Sequence, residues 1–264
     1  MRYNNRTMDG AGARRTKTGY YLEVAMKEKI IAWIRDYFEA QGNPPAVVGI
    51  SGGTDSSVTA ALLCEALGPE KVWGVLMPCG VQHDIDVSLA LVRHLGMPYR
   101  VVNIEEPVKA LASLVGEAMD CDPNKTDAYK TNTPARVRMT VLYGICALLG
   151  GRVANTCNLS EDYVGYSTKF GDAAGDFAVL SAFTKTEVRE IGRELGLPAM
   201  FVEKTPEDGM SGKSDEEKLG FTYEVLDRYI RSGEIEDEAV KAKIDRMHKA
   251  NLHKLLPMPG YGKD

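Results

Sequence analysis

The sequence predicts an α/β fold, with helices on both faces of a doubly wound parallel sheet and a helical C-terminal part. Short apolar runs that suit buried strands alternate with amphipathic helical patterns through the first two hundred residues. Glycine and proline end most of these helical patterns, as is common at helix termini. Helical patterns then fill most of residues 215–250. This order of elements predicts strands and helices packed in layers.

Three strand–helix units occupy the first part of the chain. The first helix carries Ile30, Ile31, Ile34 and Phe38 at helical spacing, so one face of it is expected to be buried. In chain order the sequence predicts a helix over 24–38, a strand over 46–50, a helix from Ser56 to Leu67, a strand over 71–77, a helix over 86–95 and a strand over 99–104.

The second part of the chain contains longer loops between its elements. Its clearest helix is Asn132 to Leu149, since Thr133 suits the N-cap and Pro134 suits the first helical position. The other predictions are a helix over 111–119, a fourth strand within 150–156, loops over 158–176 and 203–214, and a helix that runs from the capping box at 184–187 to Leu195.

Composition and charge argue against several classes of protein. The 264 residues carry a formal net charge of −5, whereas nucleic-acid-binding proteins are usually basic. The five cysteines form no C-x-x-C pair, so neither a disulfide framework nor a thiolate zinc site is expected. No apolar run is long enough to span a membrane. We therefore expect a cytoplasmic protein that binds neither nucleic acid nor membrane.

The chain is expected to form one main domain. Residues 1–22 are a polar N-terminal extension without the apolar stretch of a secretory signal, and we expect them to be poorly ordered. Residues 23–264 are expected to form a single domain, because no linker or low-complexity segment divides them. Ligands of such folds bind beyond the carboxyl ends of the strands, so the loops at those ends are where chemistry is expected.

The loop after the first strand, SGGTDS over residues 51–56, gives the strongest functional signal. A glycine pair at a helix N-terminus lets backbone N–H groups approach an anion closely, which favours phosphate. The loop lacks the lysine of a Walker P-loop. Asp55 beside a phosphate site is explained if it holds Mg²⁺ that bridges phosphate oxygens. The alternative interpretation is a glycine-rich turn in which Asp55 is a helix N-cap.

The strand–SGGxDS–helix pattern resembles the pyrophosphate-binding loop of the N-type ATP pyrophosphatases, which split ATP between the α and β phosphates. Three further stretches resemble ammonia-dependent NAD synthetases: NTPARVRMTVLY from residue 132, NTCNLSEDYVGYSTKFGDAAGDFAVLSAFTKTEV from residue 155, and LHKLLPMP from residue 252. The resemblance covers roughly residues 27–260. It implies an adenine nucleotide alpha hydrolase-like fold and a ligase that uses ATP and Mg²⁺.

The resemblance also implies roles for particular residues. Asp55, Lys185 and Asp176 would be catalytic, and Asp55 and Glu161 would hold Mg²⁺. Lys185 would supply the cation that the SGG loop lacks. ATP would contact Gly49, Ile50, Ser51, Gly52, Gly53, Thr54, Asp55, Ser56, Thr156 and Lys185. The substrate deamido-NAD would contact Arg136, Lys169, Asp176, His253 and Lys254.

Taken singly, these residues also have ordinary structural explanations. Arg136, predicted in the first turn of its helix, is compatible with a surface arginine, Glu161 with a solvated loop acid and Lys185 with a solvent-facing residue of the capping box. One position departs from the family, which often carries an ATP-contacting hydroxyl after a proline in the loop over 203–214. This chain has Glu207 there.

The implied reaction is the ATP-dependent amidation of deamido-NAD to NAD. The nicotinate carboxylate attacks the α-phosphorus of ATP and releases pyrophosphate, and ammonia then displaces AMP from the acyl-adenylate. Ammonia is expected rather than glutamine, because the resemblance uses almost the whole chain and residue 2 is Arg2, not Cys. The family implies a homodimer with the substrate at its interface. The alternatives are another ATP pyrophosphatase (GMP synthetase-like or tRNA-modifying) and a non-catalytic nucleotide-binding module.

Overall fold

A computed structural model describes residues 26–82, 84–203 and 214–262. Its centre is a parallel sheet of five strands in the order β3-β2-β1-β4-β5. The strands are β1 (Ala46–Gly49), β2 (Val72–Leu76), β3 (Tyr99–Val101), β4 (Arg152–Asn155) and β5 (Phe177–Ala178). The strand order reverses between β1 and β4, which makes that point the switch of a doubly wound sheet. The predicted fold class is confirmed.

Helices cover both faces of this sheet and form the C-terminal part. They are α1 (Met26–Ala40), α2 (Thr54–Leu67), α3 (Ile85–His94), α4 (Glu105–Met119), α5 (Asp127–Leu149), α6 (Leu159–Val164), α7 (Lys185–Glu194), α8 (Ala199–Val202), α9 (Asp215–Leu219), α10 (Tyr223–Ser232) and α11 (Glu238–Leu255). None of the helices in the described ranges is long and apolar enough to cross a bilayer.

The alternation of side chains along β1 divides the core into two layers. Ala46 and Val48 point into a cluster formed with α1, α2, α3 and α7, whereas Val47 points into a cluster formed with α5. The four apolar residues that predicted the buried face of α1 are all buried. A third apolar cluster joins α6 to α9, α10 and α11. The last three of these helices form the helical C-terminal part that the sequence predicts.

The predicted start of α5 is wrong. The helix begins at Asp127 after Thr126, so Thr133 is not its N-cap and Pro134 lies inside it. Pro134 lacks the N–H that would bond to the carbonyl four residues earlier, a loss that the buried packing of this proline offsets. Arg136 therefore lies well inside the helix and not in its first turn.

Short elements and boundaries account for the remaining differences. β3 ends at Val101, before the predicted end at residue 104. α4 begins at Glu105, so the polar residues before Leu111 were not predicted as helical. The loop predicted over 158–176 contains the short helix α6, which has six residues. β5 has only two residues and carries no alternation that a sequence pattern could reveal. Residues 1–22, most of the loop over 203–214 and its Glu207 lie outside the described residues.

The thiols should separate into two classes in the folded protein. Cys79 and Cys121 are exposed, whereas burial raises the pKa of Cys64 to about 12 and raises that of Cys157 well above its usual value. Cys146 is buried as well, and its pKa is also raised. Because the thiolate is the reactive form, we expect two fast thiols with Ellman's reagent at pH 8 and three more only in guanidinium. Four or five fast thiols in the native protein would contradict this packing.

Candidate active site

The loop over residues 50–53 joins the central strand β1 to α2 at the switch point of the sheet. Gly53 is the N-cap of α2 and Gly52 has a φ of +80°, a conformation that glycine adopts without strain. A Cβ on Gly52 would lie only 2.7 Å from the Ser88 hydroxyl oxygen. The Ser57 hydroxyl donates to the Gly53 carbonyl at 2.8 Å. The loop is therefore held as a tight turn beside a helix N-terminus, which suits an anion.

Asp55 is not the helix N-cap of the alternative interpretation. Gly53 takes that position, and Asp55 lies in the first turn of α2. Its carboxylate forms an ion pair with the ammonium of Lys185, which also contacts a Glu161 oxygen at 3.0 Å. The Lys185 side chain is only 2% exposed. The structure thus brings together both predicted metal ligands and the predicted ATP-contacting lysine.

The charges of this acid–lysine cluster (Asp55, Glu161 and Lys185) are strongly coupled. Burial, followed by the charge of Asp55, raises the pKa of Glu161 to about 7. Burial disfavours the Lys185 ammonium, but the two carboxylates outweigh it and raise the pKa of Lys185. Two acids therefore share one buried cation, and further positive charge would be favourable there.

The cluster fits Mg²⁺. Both acids supply oxygen ligands, and they converge within reach of one small cation, the Lys185 ammonium. Over the described ranges, no three His, Cys, Asp or Glu side chains gather as a metal site made by protein alone. Two carboxylates are nevertheless enough for Mg²⁺ when phosphate oxygens and water complete its octahedral shell. Asp55 and Glu161 would hold the ion.

Asn158 connects Asp55 and Glu161 through hydrogen bonds, a role that was not predicted from the sequence. It is fully buried, and its side-chain amide donates to Asp55 at 2.8 Å. Its oxygen accepts the backbone N–H of Glu161 at 3.0 Å and so caps α6. The available signal was the Asn158-x-x-Glu161 spacing, an N-cap pattern hidden inside a segment interpreted as a loop.

A second missed network fixes the start of α7. The Asp227 carboxylate of α10 accepts the Thr186 backbone N–H at 2.8 Å and the hydroxyl of Ser160. The Ser160 oxygen in turn accepts the Lys185 backbone N–H at 2.9 Å. The capping box also forms, since Glu187 accepts the Thr184 N–H at 2.8 Å. No sequence pattern connects Asp227 to α7, because the contact is purely tertiary.

The residues predicted to contact deamido-NAD lie in a second region of the molecule. Arg136 donates to the carbonyl of Lys169 at 3.3 Å, and the Lys169 ammonium reaches the carbonyl of His253. The Lys254 ammonium is held by the Gly165 and Ser167 carbonyls at 2.7 and 2.9 Å. These contacts join α5, the loop after α6 and the end of α11. A cleft of about 310 Å³ lies there, lined in part by the side chains of Tyr143, Lys169, Phe170 and Lys254.

Asp176 and Thr156 flank the strands at the other side of the switch point, since Asp176 directly precedes β5 and Thr156 directly follows β4. The Asp176 carboxylate accepts the Val153 N–H at 2.7 Å and the Tyr143 hydroxyl at 3.2 Å. These contacts place Asp176 beside the cleft and not in the acid–lysine cluster. Thr156 directly follows β4, next to the end of β1. The structure therefore groups Thr156 with the loop after β1 and separates Asp176 from it.

The tight turn over residues 50–53, called here the anion-binding turn, lies at the switch point of a parallel sheet beside the acid–lysine cluster. This arrangement is typical of α/β enzymes that act on nucleotide phosphates. A family model described as NAD synthase matches residues 26–261. The NH(3)-dependent NAD(+) synthetase of Carboxydothermus hydrogenoformans is 39% identical over 86% of this chain and 93% of that protein. The chain belongs to the NAD synthase family.

Two solved structures share this fold over almost their whole length. The NMN synthetase of Francisella tularensis has a TM-score of 0.80 at 28% identity, covering 89% of this chain and 96% of that one. The NAD+ synthetase of Burkholderia pseudomallei has a TM-score of 0.71 at 30% identity, covering 88% and 89%. The resemblance stated from the sequence motifs is confirmed.

Replacing Asn158 should weaken the site through its two acids. Asn158→Ala removes the amide that orients Asp55 and the cap that fixes Glu161, and loss of such supporting contacts costs about 10–100-fold in metal affinity or activity. We expect a fall of that size in kcat/KM, measured as AMP formation from ATP. The exposed Asn124 offers a matched control, since Asn124→Ala should leave the rate unchanged. Unaltered kcat/KM in Asn158→Ala would show that this amide does not position the acids.

Proposed function

We propose that the protein makes NAD by ATP-dependent amidation of deamido-NAD with ammonia, and that it releases AMP and pyrophosphate. The observation that carries the proposal is the buried acid–lysine cluster beside the anion-binding turn after β1. Membership of the NAD synthase family supplies the substrate class. The relatives at 35–39% identity are NH(3)-dependent NAD(+) synthetases, which supports ammonia as the nitrogen donor.

The chain's own groups can bind and orient the reactants without forming a covalent intermediate. The backbone N–H groups at the start of α2 and the Ser51 and Ser56 hydroxyls would bind the pyrophosphate portion of ATP. Mg²⁺ held by Asp55 and Glu161 would neutralise phosphate charge. Lys185 would stabilise the charge that develops on the departing pyrophosphate. The rate then depends on positioning two anions and excluding water from the acyl-adenylate.

The deamido-NAD site is proposed for the cleft between α5, the loop after α6 and α11. Arg136 and Lys169 supply positive charge for its diphosphate, and Lys169 and Lys254 border the cleft. Asp176 stands beside it through its contact with Tyr143. On this proposal Lys254 contributes partly as a structural residue, because its ammonium already bonds to two backbone carbonyls.

A homodimer in the cytoplasm is part of the proposal. Large apolar side chains on α4 and α5 stand in solvent, among them Leu114 at 63% and Leu148 at 88% exposure. Leu111 and Met119 are exposed as well, and a second copy could cover such side chains. The family's placement of the substrate at the subunit interface agrees with the cleft, which borders the exposed Tyr143 of α5.

A second candidate keeps the chemistry and changes the substrate. The NMN synthetase of Francisella tularensis is structurally similar, with a TM-score of 0.80 against 0.71 for the Burkholderia NAD+ synthetase. Nicotinate mononucleotide carries the same reactive carboxylate as deamido-NAD. The match to the NAD synthase family model and the curated relatives named NH(3)-dependent NAD(+) synthetase favour the dinucleotide.

One assay separates these candidates. The purified protein is incubated with ATP, Mg²⁺ and ammonium, together with deamido-NAD, nicotinate mononucleotide or xanthosine monophosphate. We expect NAD and AMP in equal amounts from deamido-NAD, with kcat/KM above that for the mononucleotide, and no turnover when glutamine replaces ammonium. A preference for the mononucleotide would establish the second candidate. Release of ADP, or amidation of xanthosine monophosphate, would reject both.

Loss of one metal ligand should abolish turnover and spare the fold. In Asp55→Asn the side chain keeps its shape but loses the charge that would bind Mg²⁺, so AMP formation should fall at least about a hundredfold. Far-UV circular dichroism should remain that of the unchanged protein. Asp36→Asn, an exposed acid on α1, is the control and should keep full activity. An active Asp55→Asn would remove Asp55 from the metal site.

A further inference from the structure

Tyr223 carries a buried hydroxyl that the packing of the described residues does not explain. The residue begins α10 and is 0% exposed, and its hydroxyl has no hydrogen-bond partner among the described residues. A buried hydroxyl without a partner destabilises the folded protein, because it has given up its hydrogen bonds to water. Phenylalanine would fill the same space without that cost. Other tyrosines in this part of the chain do donate, since Tyr166 bonds to Asp215 at 3.0 Å and Tyr229 to Asp245 at 2.7 Å.

The ring of Tyr223 forms a wall of the acid–lysine cluster. The Lys185 ammonium lies 5.4 Å from the ring centroid, and the same ammonium contacts Glu161 at 3.0 Å. Burial and then the charge of Glu161 raise the pKa of Tyr223 well above its usual value. The hydroxyl therefore stays protonated, and it is available as a donor next to the cluster.

Glu161 would lose hydrogen-bond donors during the reaction. In the structure the Lys185 ammonium donates to both Glu161 and Asp55. If the Lys185 ammonium turns to the phosphates, as the proposed function suggests, Glu161 loses this donor. Mg²⁺ would then balance the charge of Glu161, but a carboxylate that binds a metal is usually also held in orientation by a hydrogen-bond donor. The Tyr223 side chain borders Lys185, and its hydroxyl has no partner among the described residues.

We propose that Tyr223 is a positioning residue for Glu161: its hydroxyl donates to the Glu161 carboxylate when Lys185 turns to the nucleotide phosphates. The proposal rests on the proposed function for the role of Lys185. The tyrosine would act through Glu161 and would not touch ATP. Without a partner, the Tyr223 hydroxyl lowers the stability of the arrangement described here. Bonded to Glu161, it would stabilise the arrangement that binds magnesium and nucleotide.

The test uses Tyr223→Phe, which deletes one oxygen and leaves the ring. The affinity of the full-length protein for α,β-methylene-ATP is measured by calorimetry, with Mg²⁺ and with EDTA. We expect Kd with Mg²⁺ to rise about tenfold, Kd in EDTA to change less than twofold, and the melting temperature without ligand to stay equal or rise. An unchanged Kd with Mg²⁺, or a loss that appears only in EDTA, would overturn the proposal.

Tyr229→Phe is the matched control. Its hydroxyl bonds to Asp245 away from the cluster, so this variant should melt at a lower temperature and bind the nucleotide analogue normally. The two variants should therefore show opposite patterns of stability and binding. If Tyr229→Phe weakened binding as much as Tyr223→Phe does, the effect would come from general loosening of the helices, and the proposal would fail.

A double-mutant cycle tests whether Tyr223 acts through Glu161. In a Glu161→Gln background the tenfold effect of Tyr223→Phe should shrink below twofold, because the charged acceptor is gone. A loss of equal size in both backgrounds would show that Tyr223 acts elsewhere. Failure of the proposed function would look different, since the unchanged protein would then bind the analogue weakly or make no NAD.

Discussion

The proposed active site depends on one buried ammonium held between two carboxylates. Asp55 lies in the first turn of α2, Glu161 in the first turn of α6, and Lys185 is the first residue of α7. The positive ends of their helices stabilise the two carboxylates, whereas the same end of α7 destabilises the Lys185 ammonium. The structure offsets that cost with the acids themselves and with Asp227, which accepts the Thr186 N–H of the same helix. Loss of the Lys185 ammonium would leave two buried carboxylates without their cation, which would cost several kcal/mol of folding stability.

The order of strands is what brings these three helices together. β1 and β4 are adjacent and parallel, so α2 and α6 begin at the same edge of the sheet. β5 pairs with β4 and leads into α7 at that edge. The third apolar cluster then fixes α6 to α10, which carries Tyr223 and Asp227. The sheet therefore determines where the charges meet, and the C-terminal helices determine how precisely they are held.

Local patterns predicted what depends on local physics. The apolar spacing of α1 and the capping box of α7 are short-range features, and both form. The SGGTDS loop predicted the anion-binding turn because its glycines and its helix start are adjacent in sequence. The family resemblance added Glu161 and Lys185, which the structure brings to Asp55. Features that depend on tertiary packing were not predictable in this way. Pro134 is buried inside α5, and the roles of Asn158 and Asp227 become recognisable only once distant segments have met.

The most direct measurement is the position of a divalent cation in a crystal soaked with Mn²⁺ and α,β-methylene-ATP. Manganese gives an anomalous signal and accepts the same oxygen ligands as magnesium. We expect a peak bound by Asp55 and Glu161, with the triphosphate on the turn that contains Gly52 and Gly53. A peak bound by other residues, or a triphosphate lodged away from that turn, would contradict it.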